Sequence, residues 1–333
     1  GGVLNASVNK EFHLMRRLLT FLMAGGKGER LMPLTKDRAK PAVPFGGIYR
    51  IIDFTLSNCI NSGIRKIHVL TQYKSISLHR HLRMGWGIFE SELGEYIDVI
   101  PAQQRTGQHW YLGTADAIYQ NLYSIQQEEP DTVLILAGDH IYKMDYGKMV
   151  AFHHTHEAAV TVGVIRMERE QAQGFGIVEV DATGRVVGFE EKPQHPKPIP
   201  GDSEYCYVSM GIYCFQRPLL EEALIADAKR PLSHHDFGRD VIPLAARTVK
   251  VMAYTFTSEE DLTASPYWRD IGTLDAYYEA NMDLVQVTPA FNLYDQAWPV
   301  RTYHEQWPPA KTVFADEVTG RVGTLLDSLV SNG

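Results

Sequence analysis

The chain has 333 residues, of which 44% are hydrophobic and 22% charged, and its formal net charge is −8. These values are typical of a globular protein with room for one large α/β domain plus an appendage, or for two modest domains. The acidic balance argues against a general nucleic-acid-binding protein, because such proteins usually carry a basic surplus. Anionic ligands would therefore need local basic patches.

Cysteine usage and hydropathy bear on where the chain works. Its three cysteines, Cys59, Cys206 and Cys214, include no C-x-x-C pair, which argues against a disulfide framework and against a zinc site. Reduced thiols in the cytoplasm are the simplest interpretation. No apolar run approaches the roughly 18 residues of a membrane-spanning helix, so no membrane partner is predicted.

The first predicted strand lies at residues 18–24, after an N-terminal lead-in over residues 1–17 that we expect to be extended. Arg16 and Arg17 followed by this apolar run resemble the charged and apolar parts of a signal peptide. The run has only the minimum length for such a peptide, however, and a glycine-rich turn follows it at once. We therefore favour a buried strand.

The glycine-rich turn stands in the string Ala24-Gly-Gly-Lys-Gly-Glu-Arg-Leu. Gly25, Gly26 and Gly28 leave so little side-chain volume that a phosphate chain could approach the backbone N–H groups. The pattern is neither G-x-x-x-x-G-K-[ST] nor G-x-G-x-x-G. It predicts a triphosphate-binding loop, although the loop alone would also fit a simple turn with solvated charges. Four cations accompany it in sequence: Lys27, Arg30, Arg38 and Lys40.

Strands and helices alternate through the rest of the first half. This pattern is typical of an α/β fold with a mostly parallel, Rossmann-like sheet and helices on both faces. Thr114 is expected to cap the N-terminus of its helix. In order, the predicted elements are a helix at 51–63, a strand at 67–71, a helix at 75–83, a strand at 97–100, a helix at 114–125 and a strand at 133–137.

The second half continues with more antiparallel character. Residues 176–190 predict a hairpin that turns at 181–184, and the proline-rich residues 194–203 predict an exposed loop. Further elements are strands at 160–165, 208–215 and 251–256 and an amphipathic helix at 274–284. Periodicity fades from residue 288, so we predict a catalytic domain over 18–287 and a linker over 288–333.

Two aspartates stand at predicted strand ends, the place where ligands bind in open parallel sheets. Asp139 follows the most apolar strand, and Asp270 precedes a Gly-Thr turn into a helix. Mg²⁺ commonly uses one or two protein carboxylates and takes its other ligands from water and substrate. The pair suggests a magnesium site, although each aspartate alone could be a turn or helix cap, and the sequence does not show that they meet.

Other polar clusters allow two interpretations each. Lys192, which is followed by proline, could pair with a second phosphate group or be a solvated charge at a strand end. The triplet His153-His154-x-His156 favours the exposed polar face of a helix over a metal site. The string His234-His235-Asp236 lacks a third ligand at metal spacing.

Several longer strings carry a family resemblance: Arg38-Ala-Lys-Pro-Ala-Val, Phe45-Gly-Gly-Ile-Tyr-Arg-Ile-Ile-Asp-Phe, Pro101-Ala-Gln-Gln-Arg, Gly113-Thr-Ala-Asp-Ala, Leu136-Ala-Gly-Asp-His-Ile-Tyr, Ser209-Met-Gly-Ile-Tyr, His235-Asp-Phe-Gly and Tyr267-Trp-Arg-Asp-Ile-Gly-Thr. Together with the glycine-rich turn they resemble the sugar-1-phosphate nucleotidyltransferases, and above all the bacterial glucose-1-phosphate adenylyltransferases (ADP-glucose pyrophosphorylases). The resemblance covers about residues 18–330.

The resemblance implies an enzyme that transfers the adenylyl group of ATP to glucose 1-phosphate, giving ADP-glucose and pyrophosphate for bacterial glycogen synthesis. The sugar phosphate would attack the α-phosphorus directly, with Mg²⁺ as the cofactor and pyrophosphate leaving in line. The protein would then position two mutually repelling anions and neutralise the developing charge. For the full-length protein the resemblance implies a homotetramer.

It also implies roles for individual residues. Asp139 and Asp270 would hold Mg²⁺, and the catalytic group would be Arg30, Lys40, Asp139 and Lys192. The nucleotide would contact Ala24, Gly25, Gly26, Gly28, Gly113 and Asp139, with Gln103 near adenine. Glucose 1-phosphate would contact Tyr111, Gly176, Glu191, Lys192, Ser209 and Asp236.

The family pattern continues into a C-terminal left-handed β-helix of hexapeptide repeats, which is absent from this sequence. Residues 288–333 are therefore expected to lead toward that domain, which in the family helps to form the tetramer and the cleft for activators and AMP.

Departures from the family pattern affect the expected regulation. Well-studied members have basic residues at the positions of Asp37 and Pro44, and an arginine at that of Leu112. We therefore expect a weak or altered response to fructose 1,6-bisphosphate, with Arg38 and Arg50 as the remaining basic candidates for a regulatory site.

Two alternatives stay open at this stage. A sibling enzyme could use another nucleotide or hexose phosphate, although Pro101-Ala-Gln-Gln-Arg argues for adenine. A non-catalytic regulatory subunit could bind ligands without turnover, but Asp139, Lys192 and Asp270 are all present.

Overall fold

A computed structural model describes residues 13–102, 111–258, 265–312 and 315–332. Its strands are β1 (Leu18–Met23), β2 (Pro44–Phe45), β3 (Tyr49–Arg50), β4 (Lys66–Thr71), β5 (Tyr96–Pro101), β6 (Thr132–Ala137), β7 (His140–Tyr142), β8 (Val160–Glu168), β9 (Gly176–Val180), β10 (Val186–Glu191), β11 (Tyr205–Gln216), β12 (Val251–Thr255) and β13 (Trp268–Asp270).

The helices that frame the site are numbered separately. They are α1 (Ile51–Asn61), α2 (Ile76–Gly85), α3 (Thr114–Tyr119), α4 (Leu122–Glu128), α5 (Tyr146–Thr155), α6 (Arg217–Ala228), α7 (Ile242–Thr248) and α8 (Leu274–Leu284). Short 3₁₀ turns at Glu29–Leu31 and Lys40–Ala42 and a π-helical turn at Phe237–Val241 complete the elements used below.

Among the described residues, nine strands form one mixed sheet in the order β10-β9-β11-β6-β1-β4-β5, with β8 beside β11 and β12 beside β8. The half that contains β6, β1, β4 and β5 is parallel. The long strand β11 runs antiparallel to β6, β8 and β9, and a bulge between Ser209 and Tyr213 bends it. The predicted α/β fold with a Rossmann-like sheet is confirmed.

Strand β1 explains why both faces of the sheet are covered. Its sequence is apolar at nearly every position, as expected for a strand that is buried on two sides. Leu18 and Leu22 belong to a core with α1, α2 and α5, whereas Leu19 and Phe21 belong to a second core with α3, α6 and α7. The helices therefore pack on both faces.

The carboxyl ends of the parallel strands carry the groups of interest. Strands β1 and β6 pair in register up to Met23 and Ala137, so the glycine-rich turn and Asp139 leave the sheet at the same edge. The short strand β7 then pairs antiparallel with β13, and this register places Asp270 opposite His140. The topology thus brings together residues that are 130 positions apart in sequence.

Three local predictions are wrong. Residues 13–16 are helical where an extended lead-in was predicted. The predicted helix at 114–125 is two helices, α3 and α4, and Gly113 rather than Thr114 is the N-cap of α3. His153 is buried instead of exposed, because it follows Met149 and Val150 on the face of α5 that packs on the sheet.

The predicted linker packs against the domain. Its described residues form no helix, no strand and no left-handed β-helix, apart from an isolated bridge between Asp316 and Arg321. Phe291 is buried in a third core, and Trp298 Nε1 donates a hydrogen bond of 2.9 Å to Asn58 Oδ1 of α1. None of the described helices has the length and apolarity needed to cross a membrane. All three cysteines are free and buried.

Candidate active site

Three side chains that could ligate a cation meet at the carboxyl edge of the sheet. Asp139 follows β6, while His140 and Asp270 face each other across the β7–β13 pair. One ligand atom from each of the three lies within 4.8 Å of the other two. His140 Nδ1 is 3.2 Å from Asp139 Oδ1, and its ring stacks on Trp268 with a centroid distance of 4.8 Å. The two aspartates therefore meet.

Lys40 joins this cluster from the turn that follows the glycine-rich loop. Its Nζ donates hydrogen bonds of 3.0 Å to Asp139 Oδ2 and of 3.0 Å to Asp270 Oδ1. Only 9% of the lysine side chain is exposed, against 32% for Asp139 and 28% for Asp270. One ammonium group thus bridges two carboxylates.

The protonation states follow from burial and charge. Burial alone would lower the pKa of Lys40, but the adjacent carboxylates of Asp139 and Asp270 outweigh it and raise the pKa. Burial alone would raise the pKa of Asp139, but Lys40, His140 and hydrogen bonds outweigh it, so the pKa falls far below its ordinary value. Both groups are charged at neutral pH.

The donor set fits a divalent cation. Asp139 Oδ1 is buried and accepts no hydrogen bond from a described residue, although His140 lies at ion-pair distance. A buried oxygen without a donor is costly unless another group satisfies it. Two carboxylates with one unfilled acceptor position form a site that a hard divalent cation could complete.

The glycine-rich loop holds Lys40 in place and leaves its own N–H groups open. Gly28 has a φ of +64°, and a Cβ there would lie 3.0 Å from Lys40 Cβ and 3.0 Å from Thr35 Cγ2. Only glycine combines that backbone angle with that close approach. Toward other described residues, the backbone N–H groups of 25–28 donate no hydrogen bond. They are available to an anion.

Two cavities flank the cluster. The first, which we name the loop cavity, has a volume of about 410 Å³. It is bounded by the glycine-rich loop, the end of β4 and the start of α3. Predicted site residues that line it are Gly25, Gly26, Tyr111, Gly113, Asp139 and Asp236.

The second cavity, the hairpin cavity, lies beside the β9–β10 hairpin and the bulge of β11. Its volume is about 400 Å³. Aromatic rings of Phe175, Phe189 and Trp268 contribute to its wall. Predicted site residues that line it are Arg30, Gly176, Glu191, Lys192, Ser209, Asp236 and Asp270.

Asp236 lines both cavities, and a network of hydrogen bonds fixes it there. Its Oδ1 accepts from the N–H groups of Gly238 and Arg239, and its Oδ2 accepts from Thr114 Oγ1 at 3.0 Å. Gly113 lets the two segments touch, since a Cβ there would lie 2.3 Å from the carbonyl oxygen of His235. Hydrogen bonds to both of its oxygens therefore hold Asp236 at a position that borders both cavities.

The other predicted residues are distributed over both cavities and the loop. Tyr111, a predicted contact of glucose 1-phosphate, lines the loop cavity, because it directly precedes α3. Arg30, predicted as a catalytic residue, lines the hairpin cavity, with its guanidinium next to Gly272. Ala24 is buried beneath the loop, where its N–H donates to Leu70. Gln103 lies outside the described residues.

Arg50 lies away from this edge. Arg50 lines a separate cavity of about 250 Å³ together with Tyr303, His304 and Trp307 of the C-terminal segment, and its guanidinium donates to the carbonyl of Ala42. Burial and then the charge of Arg38 lower the pKa of the Arg50 guanidinium.

Three residues near the site were not predicted as site residues: His140, Trp268 and Thr114. His140 and Trp268 stood in quoted motifs, but only the register of β7 with β13 shows that they border the two aspartates. The residue type of Thr114 predicts a helix cap, but its hydroxyl donates to Asp236. The pairing of short strands and the approach of distant loops leave no periodic signal in the sequence.

Comparisons with known proteins identify the relatives of this chain. A sequence model of the nucleotidyl transferase family matches residues 19–287. A glucose-1-phosphate adenylyltransferase of Rhodopirellula baltica is 54% identical over 322 residues, which are 96% of this chain and 72% of that protein. The enzyme of that name from Koribacter versatilis is also 54% identical, over 96% of this chain and 76% of its own length. That of Methylococcus capsulatus is 51% identical, over 99% and 77%. The family resemblance predicted from the motifs is confirmed.

Proposed function

Because the chain belongs to the nucleotidyl transferase family, and within it to the glucose-1-phosphate adenylyltransferases, we propose that it makes ADP-glucose. In this reaction a phosphate oxygen of glucose 1-phosphate bonds to the α-phosphorus of ATP. The bond from that phosphorus to the bridging oxygen of the β-phosphate breaks, and pyrophosphate leaves. The second pKa of a phosphate monoester is about 6, so the attacking group is largely dianionic at neutral pH and needs no protein base.

One observation carries the proposal: the loop cavity is lined by Asp139, the hairpin cavity of similar size is lined by Asp270, and Lys40 bridges these two aspartates. A transferase of this kind must hold two anionic substrates side by side with their reacting groups in contact. Asp236 lines both cavities, which places them side by side.

The loop cavity is the proposed site of ATP. Its open N–H groups at 25–28 would bind the triphosphate, and Gly113 and Tyr111 would border the nucleoside. Gln103, outside the described residues, remains a proposed contact of adenine.

The hairpin cavity is the proposed site of glucose 1-phosphate. Lys192 and Arg30 supply positive charge for its phosphate, while Glu191, Ser209 and Asp236 offer acceptors and a hydroxyl for the sugar. The aromatic wall would pack against the apolar face of the ring.

We propose Mg²⁺ as the cation of the acidic cluster. The carboxylates of Asp139 and Asp270 would hold it, and when bound it would supply positive charge to the phosphate oxygens of ATP. Lys40 adds a protein cation beside the two carboxylates, and Arg30 adds one in the hairpin cavity. Together the chain's own side chains neutralise charge that builds up as pyrophosphate leaves.

Pyrophosphate release from ATP, glucose 1-phosphate and Mg²⁺ tests this function. Asp139→Asn should reduce kcat/KM by about a thousandfold or more, the scale expected when a major electrostatic stabiliser is lost. Asp131→Asn, an exposed aspartate paired with Arg17, is the matched control and should retain full activity. Wild-type activity in Asp139→Asn would refute the assignment.

The same assay settles the choice of nucleotide. Replacing ATP by UTP, dTTP or GTP should lower the rate strongly if the loop cavity selects adenine. A faster reaction with one of these nucleotides would assign the chain to a sibling activity instead.

Arg38 and Arg50 remain the proposed contacts of an anionic regulator. They are supported by the position of Arg50 in a cavity that is separate from the two substrate cavities.

A further inference from the structure

The position of Lys40 has a consequence beyond charge neutralisation. Its ammonium group lies 3.0 Å from an oxygen of Asp139 and 3.0 Å from an oxygen of Asp270. These are the same two carboxylates that would hold the divalent cation. A cation at the unpaired Oδ1 of Asp139 would still lie close to this ammonium group, because Lys40 pairs with the other oxygen of the same carboxylate, and like charges at short distance repel strongly.

The backbone of Lys40 is fixed, so only its side chain can yield. The N–H of Lys40 donates to the carbonyl of Gly26 at 3.4 Å, and Gly28 packs directly against its Cβ. Pro41 follows in the 3₁₀ turn and is buried. The lysine stem therefore starts at a fixed point at the base of the glycine-rich loop, next to the N–H groups that an oxyanion would contact.

The ammonium of Lys40 cancels half of the negative charge of the two aspartates without a metal ion. Two carboxylates and one ammonium leave a single negative charge, which is a weaker attraction for a divalent cation than two unpaired carboxylates. A polyphosphate in the loop cavity would offer Lys40 a new anionic partner within reach of its stem. The carboxylates would then be released.

We propose that Lys40 is the internal counter-ion of the two aspartates. It keeps divalent cations out of the ligand-free site, and it releases both carboxylates when a polyphosphate binds. This inference rests on the proposed function, since it takes the loop cavity as a triphosphate site. Metal ion and nucleotide then bind cooperatively, and the coupling between them passes through one side chain.

Binding of Mn²⁺ to the protein without nucleotide tests the proposal. Free Mn²⁺ can be followed by electron paramagnetic resonance while the wild type and Lys40→Met are titrated. Lys40→Met should bind Mn²⁺ at least about tenfold more tightly, within the usual range of coupling between two ligands. Lys66→Met removes a lysine that pairs with Glu128 at 2.7 Å, away from the cluster, and should leave the affinity unchanged. Equal affinity in wild type and Lys40→Met would overturn the proposal.

A second measurement addresses the exchange itself. With the non-hydrolysable α,β-methylene analogue of ATP present, Mn²⁺ affinity should rise in the wild type much more than in Lys40→Met. An equal rise in both proteins would contradict the role of Lys40. If Lys40→Met does not fold, Lys40→Gln, which keeps a polar group without the charge, serves in both titrations.

A failure of the counter-ion role can be distinguished from a failure of the proposed function. Formation of ADP-glucose by the wild type together with unchanged Mn²⁺ affinity in Lys40→Met would leave the function and remove the counter-ion role. Absence of ADP-glucose formation in the wild type would remove the function, whatever the metal titrations give.

Discussion

Two aspartates of this chain have opposite surroundings. Asp53, near the start of α1, is fully buried, and both of its oxygens are satisfied. Its Oδ1 accepts hydrogen bonds from His81 Nε2 at 2.6 Å and Trp86 Nε1 at 2.8 Å. Its Oδ2 accepts from Thr302 Oγ1 at 2.6 Å and from the N–H of Arg50 at 2.8 Å.

Asp139 is the contrasting case. About a third of its side chain is exposed, one oxygen is paired with a lysine, and the other oxygen accepts no hydrogen bond from a described residue. Its single strong partner sits at the end of a flexible stem, whereas the four donors to Asp53 are fixed on the backbone, on rings and on a short side chain.

The difference separates a structural carboxylate from one that is open to ligands. Four fixed donors leave Asp53 no capacity for another group, and moving any of them would leave a buried polar atom unsatisfied. One oxygen of Asp139 has no donor among the described residues, and the Lys40 ammonium that pairs with its other oxygen can move away. Removing Asp53 should therefore affect folding, and removing Asp139 should affect chemistry.

The largest effect on stability is expected from Asp53→Asn. The amide keeps one acceptor oxygen but turns an N–H₂ group toward donors, so the free energy of unfolding should fall by about 3 kcal/mol or more. Asp139→Asn should change it by about 1 kcal/mol or less, since Lys40 keeps Asp270 as a partner. Urea unfolding of both variants gives the comparison. Equal losses of stability would mean that the distinction between the two aspartates is wrong.

Much of the fold could be predicted from the sequence, because the patterns that indicate strands and turns are local. The apolar runs of β1 and β6 require burial on both faces, and glycine-bounded strand ends mark where ligands bind. Both aspartates of the cluster were identified in this way. The sequence did not predict that the two side chains lie close together, because their proximity depends on the antiparallel register of two three-residue strands, β7 and β13.

Two errors have a common physical cause. Thr114 has the residue type of a helix cap, but the approach of the His235 carbonyl to Gly113 assigns its hydroxyl to Asp236 instead. His153 has the residue type of a polar surface, but its spacing from Met149 and Val150 places it on the buried face of α5. In both cases tertiary contacts outweigh the structural preference of the residue type.

His153 extends the comparison to a buried base. Among the described residues, only one of its two ring nitrogens has a hydrogen-bond partner. Its Nδ1 is 2.8 Å from Thr161 Oγ1, and its Nε2 has no hydrogen-bond partner among the described residues. Burial, and then the proximity of His154, lowers the pKa of His153 to about 3. Between pH 6.5 and pH 3 the unfolded chain therefore holds a proton on this ring that the folded chain does not, and stability falls as the pH falls.

The size of this effect is measurable. Between pH 7.5 and pH 5 the wild type should lose about 2 kcal/mol more free energy of unfolding than His153→Gln does, from the difference in pKa between the two states. Urea unfolding at the two pH values gives the numbers. His234→Gln, with 66% of the histidine side chain exposed, is the control and should behave as the wild type. An identical loss in wild type and His153→Gln would show that the ring is not held neutral by burial.

The smallest effect is expected from Thr302→Val. This variant tests whether the hydrogen bond from Thr302 to Asp53 helps to hold the C-terminal segment on the domain. The valine keeps the shape and removes one of four donors, so the free energy of unfolding should fall by about 1 kcal/mol. Thr302→Ser keeps the hydroxyl and should recover most of that loss. If Thr302→Val left the free energy of unfolding unchanged, the hydroxyl would contribute nothing to the stability of the buried carboxylate. Asp53 would then be satisfied by α1, α2 and Trp86 alone, and the segment would lie on the domain without sharing in its buried hydrogen bonds.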